Sequence, residues 1–405
     1  MRPYERMIDY CRIHTTSDES SESTPSAFRE FTLADLLADE LRALGVSDVR
    51  RTDTCNVYGK IPATPGYESA PKIGFVAHLD TAPDFCGENV RPLIWENYDG
   101  NDIPLPECGR VIRVSDFPYL KEKKGKTLIT ASGDTLLGAD DKAGIAEIVC
   151  MCERLLKGGI PHGPVRIAFT PDEEIGMGTA TFDYEAMDAD YAYTMDGAAV
   201  GEVVWECFNA ASASVTVSGN NVHPGSAKGI MVNACLVAME FNALLPANEI
   251  PSETEGYEGF YHLTGMKGAV EQADLQYILR DHDSAKLAER EERVREAAEE
   301  IDRRYGSGTV QVSFREGYRN MADAIRSRFE VVEKALTATR KAGLEPIQDP
   351  IRGGTDGATM TAAGLPCPNL GTGSYAFHGP YEHSVAEEMD LAVEIMLGIL
   401  TEFIG

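Results

Sequence analysis

The sequence is short of positive charge. It contains 37 Lys and Arg residues against 65 Asp and Glu residues, which gives a formal net charge of −28 at pH 7. Such an excess of negative charge repels the phosphate backbone of a nucleic acid and the surface of an anionic membrane. We therefore expect neither nucleic acid nor a membrane as a partner.

Long apolar runs and paired cysteines are also lacking. The longest mostly apolar run, around residues 229–239, is too short to span a bilayer, and the first residues do not resemble a secretory signal. The nine cysteines are an odd number without any CxxC pair, which argues against a disulfide framework and favours a reducing compartment. These features predict a cytoplasmic protein.

The chain does contain enough apolar material for a large core. Its residues are 43% hydrophobic and 25% charged, a composition that is typical of folded proteins and excludes wholesale disorder. Its 405 residues exceed the roughly 250 to 300 residues at which a single hydrophobic core stops growing. Two domains are therefore expected.

Apolar runs that are typical of buried strands alternate with segments of helical spacing over most of the chain. The strand-like runs are residues 72–77, 165–169 and 191–195, and the helix-like segments are residues 27–44 and 142–156. Gly45 is expected to end the first helix in the left-handed conformation, and Asp141 is a candidate N-cap for the second. Strands that alternate with helices predict an α/β sheet.

The pattern changes near residue 208. Residues 208–317 predict the order β-α-β-α-β, with one helix over residues 229–244, and the α/β pattern then resumes with a helix over residues 324–342. We therefore predict that residues 1–207 and 318–405 form one discontinuous domain, into which a smaller domain, residues 208–317, is inserted.

Polar residues that can bind metal ions follow the predicted strands, where open α/β sheets place their ligands. They are His78, Asp80, Asp140, Asp141, the acidic run 172–174, Asp196, His378 and His383. Some have an ordinary alternative: His78 and Asp80 as a polar strand end, Asp141 as a helix cap, and residues 172–174 as a solvated acidic loop, whereas capping by Asp141 leaves Asp140 without such an explanation. Adjacent carboxylates repel one another unless a cation is present or one of them is protonated.

Together these residues suit a divalent cation. Zinc accepts nitrogen and oxygen ligands at about 2.0–2.2 Å, so no thiolate is required. The candidate ligands outnumber the three protein ligands that are usual for one catalytic zinc. Two ions about 3.5–4 Å apart, sharing one carboxylate, are therefore expected.

Four segments resemble the co-catalytic zinc exopeptidases that are related to aminoacylase and carboxypeptidase G. They are GFVAHLDT at 74–81, LGADDKAG at 137–144, AFTPDEE at 168–174 and YTMDG at 193–197. Further segments at 220–225, 255–263 and 351–357 resemble the tripeptide aminopeptidases of that family, and the similarity runs essentially end to end. The resemblance implies a larger catalytic α/β domain with helices on a mixed sheet and an inserted, smaller α+β lid domain.

The resemblance also implies an activity. A metal-bridging hydroxide would attack the first peptide bond of a tripeptide with a free N-terminus and release the N-terminal residue. Two alternatives remain. The chain could use the same chemistry as a related dipeptidase or amide deacylase, or it could be a protein of another class that binds metal or peptide without catalysis. A nucleotide-dependent enzyme is disfavoured, because neither GxGxxG after a strand nor GxxxxGK[ST] occurs.

Roles for individual residues follow from the resemblance. His78 and Asp196 would hold one zinc ion, Glu174 and His378 the other, and Asp140 would bridge both. Glu173 would be the general base, Asp80 would orient His78, and the Asp140–Asp141 peptide is expected to be cis. His383 is the competitor of His378, which is preferred because Glu382 stands four residues after it, as in the family.

The resemblance also gives roles to three residues in or near the inserted domain. His223 would reach the scissile carbonyl when the lid closes, and Arg280 and Arg352 would bind the carboxylate of the substrate, since guanidinium pairs bidentately with carboxylate. Surface salt bridges are the alternative for both arginines. A homodimer formed through the lid is the oligomer that the resemblance implies.

Overall fold

The computed structural model describes all residues from 1 to 405 and divides them into two compact units. The first unit consists of Met1–Trp205, Asp323–Gln348 and Thr355–Gly405, and the second consists of Glu206–Ala322 and Asp349–Gly354. The predicted boundaries, with 208–317 as the inserted domain, stay a prediction. The structure also groups Asp349–Gly354 with the second unit, which the predicted boundaries do not.

The chain forms ten α-helices and seventeen strands. The helices are α1 (Pro3–Cys11), α2 (Glu30–Leu44), α3 (Ala139–Leu156), α4 (Tyr184–Met187), α5 (Ala234–Ala243), α6 (Ser284–Tyr305), α7 (Ala322–Arg326), α8 (Glu330–Lys341), α9 (Asp356–Ala362) and α10 (Ala386–Glu402). The strands are β1 (Ser47–Arg51), β2 (Val57–Ile61), β3 (Ile73–His78), β4 (Leu93–Trp95), β5 (Ile103–Pro104), β6 (Val111–Ile112), β7 (Leu128–Thr130), β8 (Val165–Thr170), β9 (Tyr191–Gly197), β10 (Val203–Val204), β11 (Asn209–Ser218), β12 (Phe260–Gly268), β13 (Gln272–Asp281), β14 (Val310–Glu316), β15 (Asn369–Gly371), β16 (Ser374–Tyr375) and β17 (His383–Val385).

A mixed seven-stranded sheet organises the first unit, in the order β1-β2-β8-β3-β9-β15-β10. Its four central strands, β8, β3, β9 and β15, run parallel, and β3 and β8 are buried along their whole length. Two smaller sheets, β16-β17-β7-β4 and β5-β6, belong to the same unit. The predicted α/β class is therefore confirmed.

Helices cover both faces of the large sheet. Met187 of α4 and Met360 of α9 pack in one core cluster with Val76, Ala168 and Ala192 of the sheet. α2 and α3 cover the opposite face, where a Cβ at Gly59 of β2 would lie 3.7 Å from Leu41 of α2 and a Cβ at Gly144 of α3 would lie 2.1 Å from the backbone oxygen of Met195 of β9. Side chains alternate along a strand, so Ala192 and Met195 point to opposite faces. Gly45 ends α2 with a φ of 97°, as predicted.

Gly144 allows α3 to lie directly on β9. A Cβ at this position would lie 2.1 Å from the backbone oxygen of Met195 and 2.5 Å from Oδ1 of Asp141. We expect Gly144→Ala to lower the free energy of unfolding in urea by about 1–3 kcal/mol, as overpacking does. Gly265→Ala is the control, because its Cβ would meet nothing closer than 3.9 Å. Equal stability of the two variants would contradict this account.

The second unit is an antiparallel sheet with helices on one face. Its strand order is β12-β13-β11-β14, and its core joins alternate residues of β11 and β13 with Val237 and Phe241 of α5 and Val294 and Ile301 of α6. The chain order is β-α-β-β-α-β rather than the predicted β-α-β-α-β, because β12 was missed. α5 begins at Ala234, where the side chain of Asn233 caps it, and not at residue 229.

Other differences from the prediction lie near the ends of the chain. The single helix predicted over residues 324–342 is two helices, α7 and α8. α1, which begins with Pro3, was not predicted.

The expectations about membrane spans and disulfides can be compared with the structure. None of the helices combines the length and the apolar character that a bilayer crossing requires. All nine cysteines are free, and six are buried: Cys11, Cys55, Cys150, Cys152, Cys207 and Cys367.

Candidate metal centre

The candidate site lies at the C-terminal ends of three neighbouring parallel strands. β3 ends at His78, β8 ends at Thr170 just before the short 3-10 turn Glu173–Ile175, and β9 ends with Asp196 and Gly197. β3 lies between the other two strands, and His78 is paired in register with Thr170. Parallel strands end at a common edge, so this order brings together side chains from distant parts of the chain.

Asp140 lies between two histidines. Its Oδ1 is 2.9 Å from Nε2 of His78, and its Oδ2 is 3.3 Å from Nε2 of His378. Nε2 of His78 is also 3.7 Å from Oδ1 of Asp196, and Nε2 of His378 is 3.0 Å from Oε2 of Glu174. The five residues that the sequence analysis assigned as ligands therefore come together, with one oxygen of Asp140 on each side.

Two groups of donor atoms in this cluster are compact enough to hold an ion. His78, Asp140 and Glu174 form one, and His78, Asp141 and Asp196 form the other, with the donor atoms of each group within 4.8 Å of one another. Asp141 is already engaged: its Oδ1 accepts the N–H of Gly144 at 3.2 Å and its Oδ2 that of His78 at 3.1 Å. It acts as the expected helix cap, whereas Asp140 has one oxygen toward each histidine.

The carboxylates of this cluster lie close together, so nearby protons or a cation must balance their negative charge. Burial raises the pKa of Asp196 to about 6 and that of Glu174 to about 7. Hydrogen bonds to Asp140 and Glu174 raise the pKa of His378 to about 11. Oε1 of Glu174 is buried without a hydrogen-bond partner. A divalent cation would satisfy that oxygen and displace the protons, so the nitrogen and oxygen donors fit such an ion.

Asp80 holds both His78 and the acidic turn. It is fully buried, and its carboxylate accepts the N–H of Glu173 at 3.0 Å and that of Glu174 at 3.2 Å. Nδ1 of His78 lies 3.1 Å from the backbone oxygen of Asp80 and 3.3 Å from its Oδ1. One residue therefore orients a candidate ligand and the turn that carries two further site residues.

Two further expectations concern the cis peptide at Asp140 and the choice between His378 and His383. The Asp140–Asp141 peptide is cis, as expected. His383 is buried away from the cluster: its Nδ1 is 2.7 Å from the backbone oxygen of Tyr381 and its Nε2 is 3.3 Å from the hydroxyl of Tyr119. Of the two competing histidines, His378 is the one beside Asp140 and Glu174.

Two carboxylates near the cluster received no role in the sequence analysis. Oδ2 of Asp84 lies 3.5 Å from Nδ1 of His378. Oδ2 of Asp356 accepts the hydroxyl of Thr170 at 2.8 Å. The position of Asp84, four residues after Asp80 in the same loop, could have indicated its proximity to the site. Asp356 is distant in sequence and gave no such signal.

Three predicted site residues lie in the second unit. His223 is exposed and its Nδ1 accepts the N–H of Gly225 at 3.1 Å. Arg280 donates through Nε to the hydroxyl of Tyr318 and through Nη1 to two backbone oxygens. Arg352 donates through Nη1 to the backbone oxygens of residues 256 and 258 and through Nη2 to Thr254.

Comparisons with known proteins give one consistent result. The model of peptidase family M20/M25/M40 matches residues 135–402. A curated relative named peptidase T, from Clostridium perfringens, is 49% identical over 398 residues, which are 98% of each chain. The crystal structure of aminopeptidase PepT from Bacillus cereus matches with a TM-score of 0.79 and 23% identity, covering 100% of this chain and 98% of that one. A tripeptidase from Staphylococcus aureus matches with a TM-score of 0.78 and 21% identity, covering 99% and 98%.

Proposed function

The chain belongs to peptidase family M20/M25/M40, and from that membership we propose that it is a metal-dependent aminopeptidase that releases the N-terminal residue from tripeptides. The observation that carries the proposal is the position of Asp140, with one oxygen toward each of two histidines, in a chain that is 49% identical to a peptidase T over nearly its whole length. The names of the similar aminopeptidase and tripeptidase support the substrate.

We propose the ligands of two zinc ions from the family resemblance, and the distances between the donor atoms support them. His78 and Asp196 would hold one ion with Oδ1 of Asp140, and His378 and Glu174 would hold the other with Oδ2. The set contains only nitrogen and oxygen donors, which zinc accepts. When bound, the ions would lower the pKa of water from 15.7 to about 7 and polarise the scissile carbonyl.

Glu173 is the proposed general base. Its backbone is held by Asp80, and its side chain receives no hydrogen bond from the chain, so the carboxylate is available to a water molecule. Burial, followed by the negative charge of Asp196, raises the pKa of Glu173 well above its usual value, which favours proton uptake. Glu173 would take a proton from the attacking water and pass it to the leaving amine.

The second unit would bind and orient the substrate. His223 is exposed, and its Nε2 makes no hydrogen bond within the chain, so it can donate to the carbonyl oxygen during attack. Of the two arginines, Arg280 is the better partner for the substrate carboxylate, because its Nη2 donates to no group of the chain. Arg352 instead uses both Nη1 and Nη2 to hold residues 254–258.

A homodimer through the second unit and a cytoplasmic location complete the proposal. β12 is an edge strand, and Leu236 and Met239 of α5 are 55% and 53% exposed. Exposed apolar side chains and an unpaired strand edge both favour association with a second copy.

A panel of peptides tests the activity. We expect the zinc-loaded protein to cleave tripeptides with a free N-terminus at their first bond, and to cleave N-acetylated tripeptides at least about a hundredfold less efficiently, because a site that binds a polar group rejects an analogue lacking it. Product analysis of di-, tri- and tetrapeptides by mass spectrometry gives the ratios of kcat/KM, and the same protein treated with a chelator is the control.

Other results would favour the competing functions. Preferred cleavage of dipeptides would indicate a dipeptidase, and preferred cleavage of acylated substrates would indicate an amide deacylase. Binding of metal and peptide without turnover would indicate a non-catalytic binding protein. Full activity after the metal has been removed would contradict metal dependence.

A further inference from the structure

Glu382 is a buried carboxylate that holds the loop before Asp140. The residue is 1% exposed. Its Oε2 accepts the backbone N–H of Leu137 and of Gly138, both at 2.8 Å, and its Oε1 accepts the backbone N–H of Asp140 at 3.0 Å. All three hydrogen bonds are well within normal length, so a single side chain fixes both the loop and the backbone of the shared carboxylate.

Glu382 also belongs to the short segment that carries His378. Nε2 of His378 and Oδ2 of Asp140 are 3.3 Å apart and are the donors that we assign to the same ion. We propose that Glu382 is a positioning residue that couples Asp140 to His378 and so sets the geometry of the metal centre. This inference rests on the metal centre of the proposed function, but it concerns ion binding rather than hydrolysis.

The partners of Glu382 explain why a carboxylate is needed. All three are N–H donors, and a carboxylate has only acceptor oxygens. A glutamine would have to turn its NH2 group toward either Asp140 or the Leu137–Gly138 pair, leaving buried donors unpaired.

A buried lysine, Lys142, also lies beside this loop. Nζ of Lys142 would be 3.4 Å from a Cβ at Gly138, and it donates to the backbone oxygen of Ile13 at 3.0 Å. Lys142 is 1% exposed. Its charge offsets that of buried carboxylates such as Glu382, which allows a charged acceptor to remain in the interior.

The test compares zinc affinities of purified Glu382→Gln and wild-type protein. We expect Glu382→Gln to bind both ions about 10–100-fold more weakly, as measured by competition with a chromophoric chelator, because support of a ligand typically contributes that much. The absorption spectrum of the cobalt-loaded variant is expected to differ from that of the wild type, since the ligand geometry changes.

Glu388→Gln is the matched control. Glu388 is equally buried, but it accepts hydrogen bonds from Lys123, Lys126 and Tyr375 instead. We expect this variant to lose thermal stability while it keeps wild-type zinc affinity. Unchanged zinc affinity and an unchanged cobalt spectrum in Glu382→Gln, or an equal loss of affinity in both variants, would overturn the coupling.

A measurement on the wild type covers the case in which Glu382→Gln does not fold. The amides of Leu137, Gly138 and Asp140 should exchange slowly with deuterium, and exchange as fast as in an open loop would overturn the inference. Neither measurement uses a peptide. A wild-type protein that binds two zinc ions but cleaves no peptide would therefore reject the peptidase activity and leave the role of Glu382 intact.

Discussion

Glu173→Gln is expected to retain both metal ions and to lower kcat by at least about a hundredfold, at the low end of general-base contributions. Glutamine has the same shape, and the N–H that Asp80 accepts at 3.0 Å belongs to the backbone, so the turn should persist. What is lost is the group that accepts a proton from water. Steady-state hydrolysis of a tripeptide, together with metal analysis of the same sample, measures both quantities.

Glu174→Gln is the informative comparison for this variant. Glu174 adjoins Glu173, but its Oε2 lies 3.0 Å from His378, so we expect its substitution to weaken the binding of one ion. The two neighbouring substitutions should therefore separate proton transfer from metal binding. Near-normal turnover in metal-loaded Glu173→Gln would refute its assignment as the base.

Asp140→Ala is expected to lose both ions at once and to lower turnover by at least about a thousandfold. The ions contribute several kcal/mol of charge stabilisation in the transition state, and each 1.36 kcal/mol is a factor of ten. Burial opposes the charged form of Asp140, but hydrogen bonds from His378 and His78 hold its pKa below the usual value. The carboxylate is therefore ionised and ready to bind a cation on each side.

Asp196→Ala is the comparison that distinguishes a shared ligand from an unshared one. Asp196 lies 3.7 Å from Nε2 of His78 and is assigned to that ion alone, so the variant should keep one ion. Titration with zinc, followed by removal of excess metal and elemental analysis, gives the number of bound ions. Two ions bound to Asp140→Ala with wild-type affinity would exclude a bridging role.

The strands that position the site could be predicted closely from the sequence. The apolar runs at 72–77, 165–169 and 191–195 differ from β3, β8 and β9 by no more than two residues at either end, because buried parallel strands are continuous apolar runs. Their order in the sheet could not be predicted in this way. Whether two strands are neighbours depends on the path of the chain through space, so the strand pattern predicted a metal site at the strand ends, but only the resemblance indicated which residues share each ion.

Elements with a weak apolar pattern were predicted less well. β12 was missed, since glycines at 259, 265 and 268 interrupt the alternation that marks a strand. The predicted start of α5 was too early, because residues 229–233 are apolar enough to extend the helical pattern, although Asn233 caps the helix. The hydrogen bonds of Glu382 span 242 to 245 residues along the chain, and no local pattern reveals them.

The second unit is not one continuous stretch of the chain, so it cannot be transplanted with two cuts. The chain passes from one unit to the other four times, since Asp349–Gly354 returns to the second unit after Asp323–Gln348. A graft cut only at residues 206 and 322 would leave Arg352 behind, although its guanidinium lies 5.1 Å from the ring of Phe208 and 5.7 Å from that of Phe260. A chimera that exchanges the second unit between relatives must therefore carry this six-residue return segment with it.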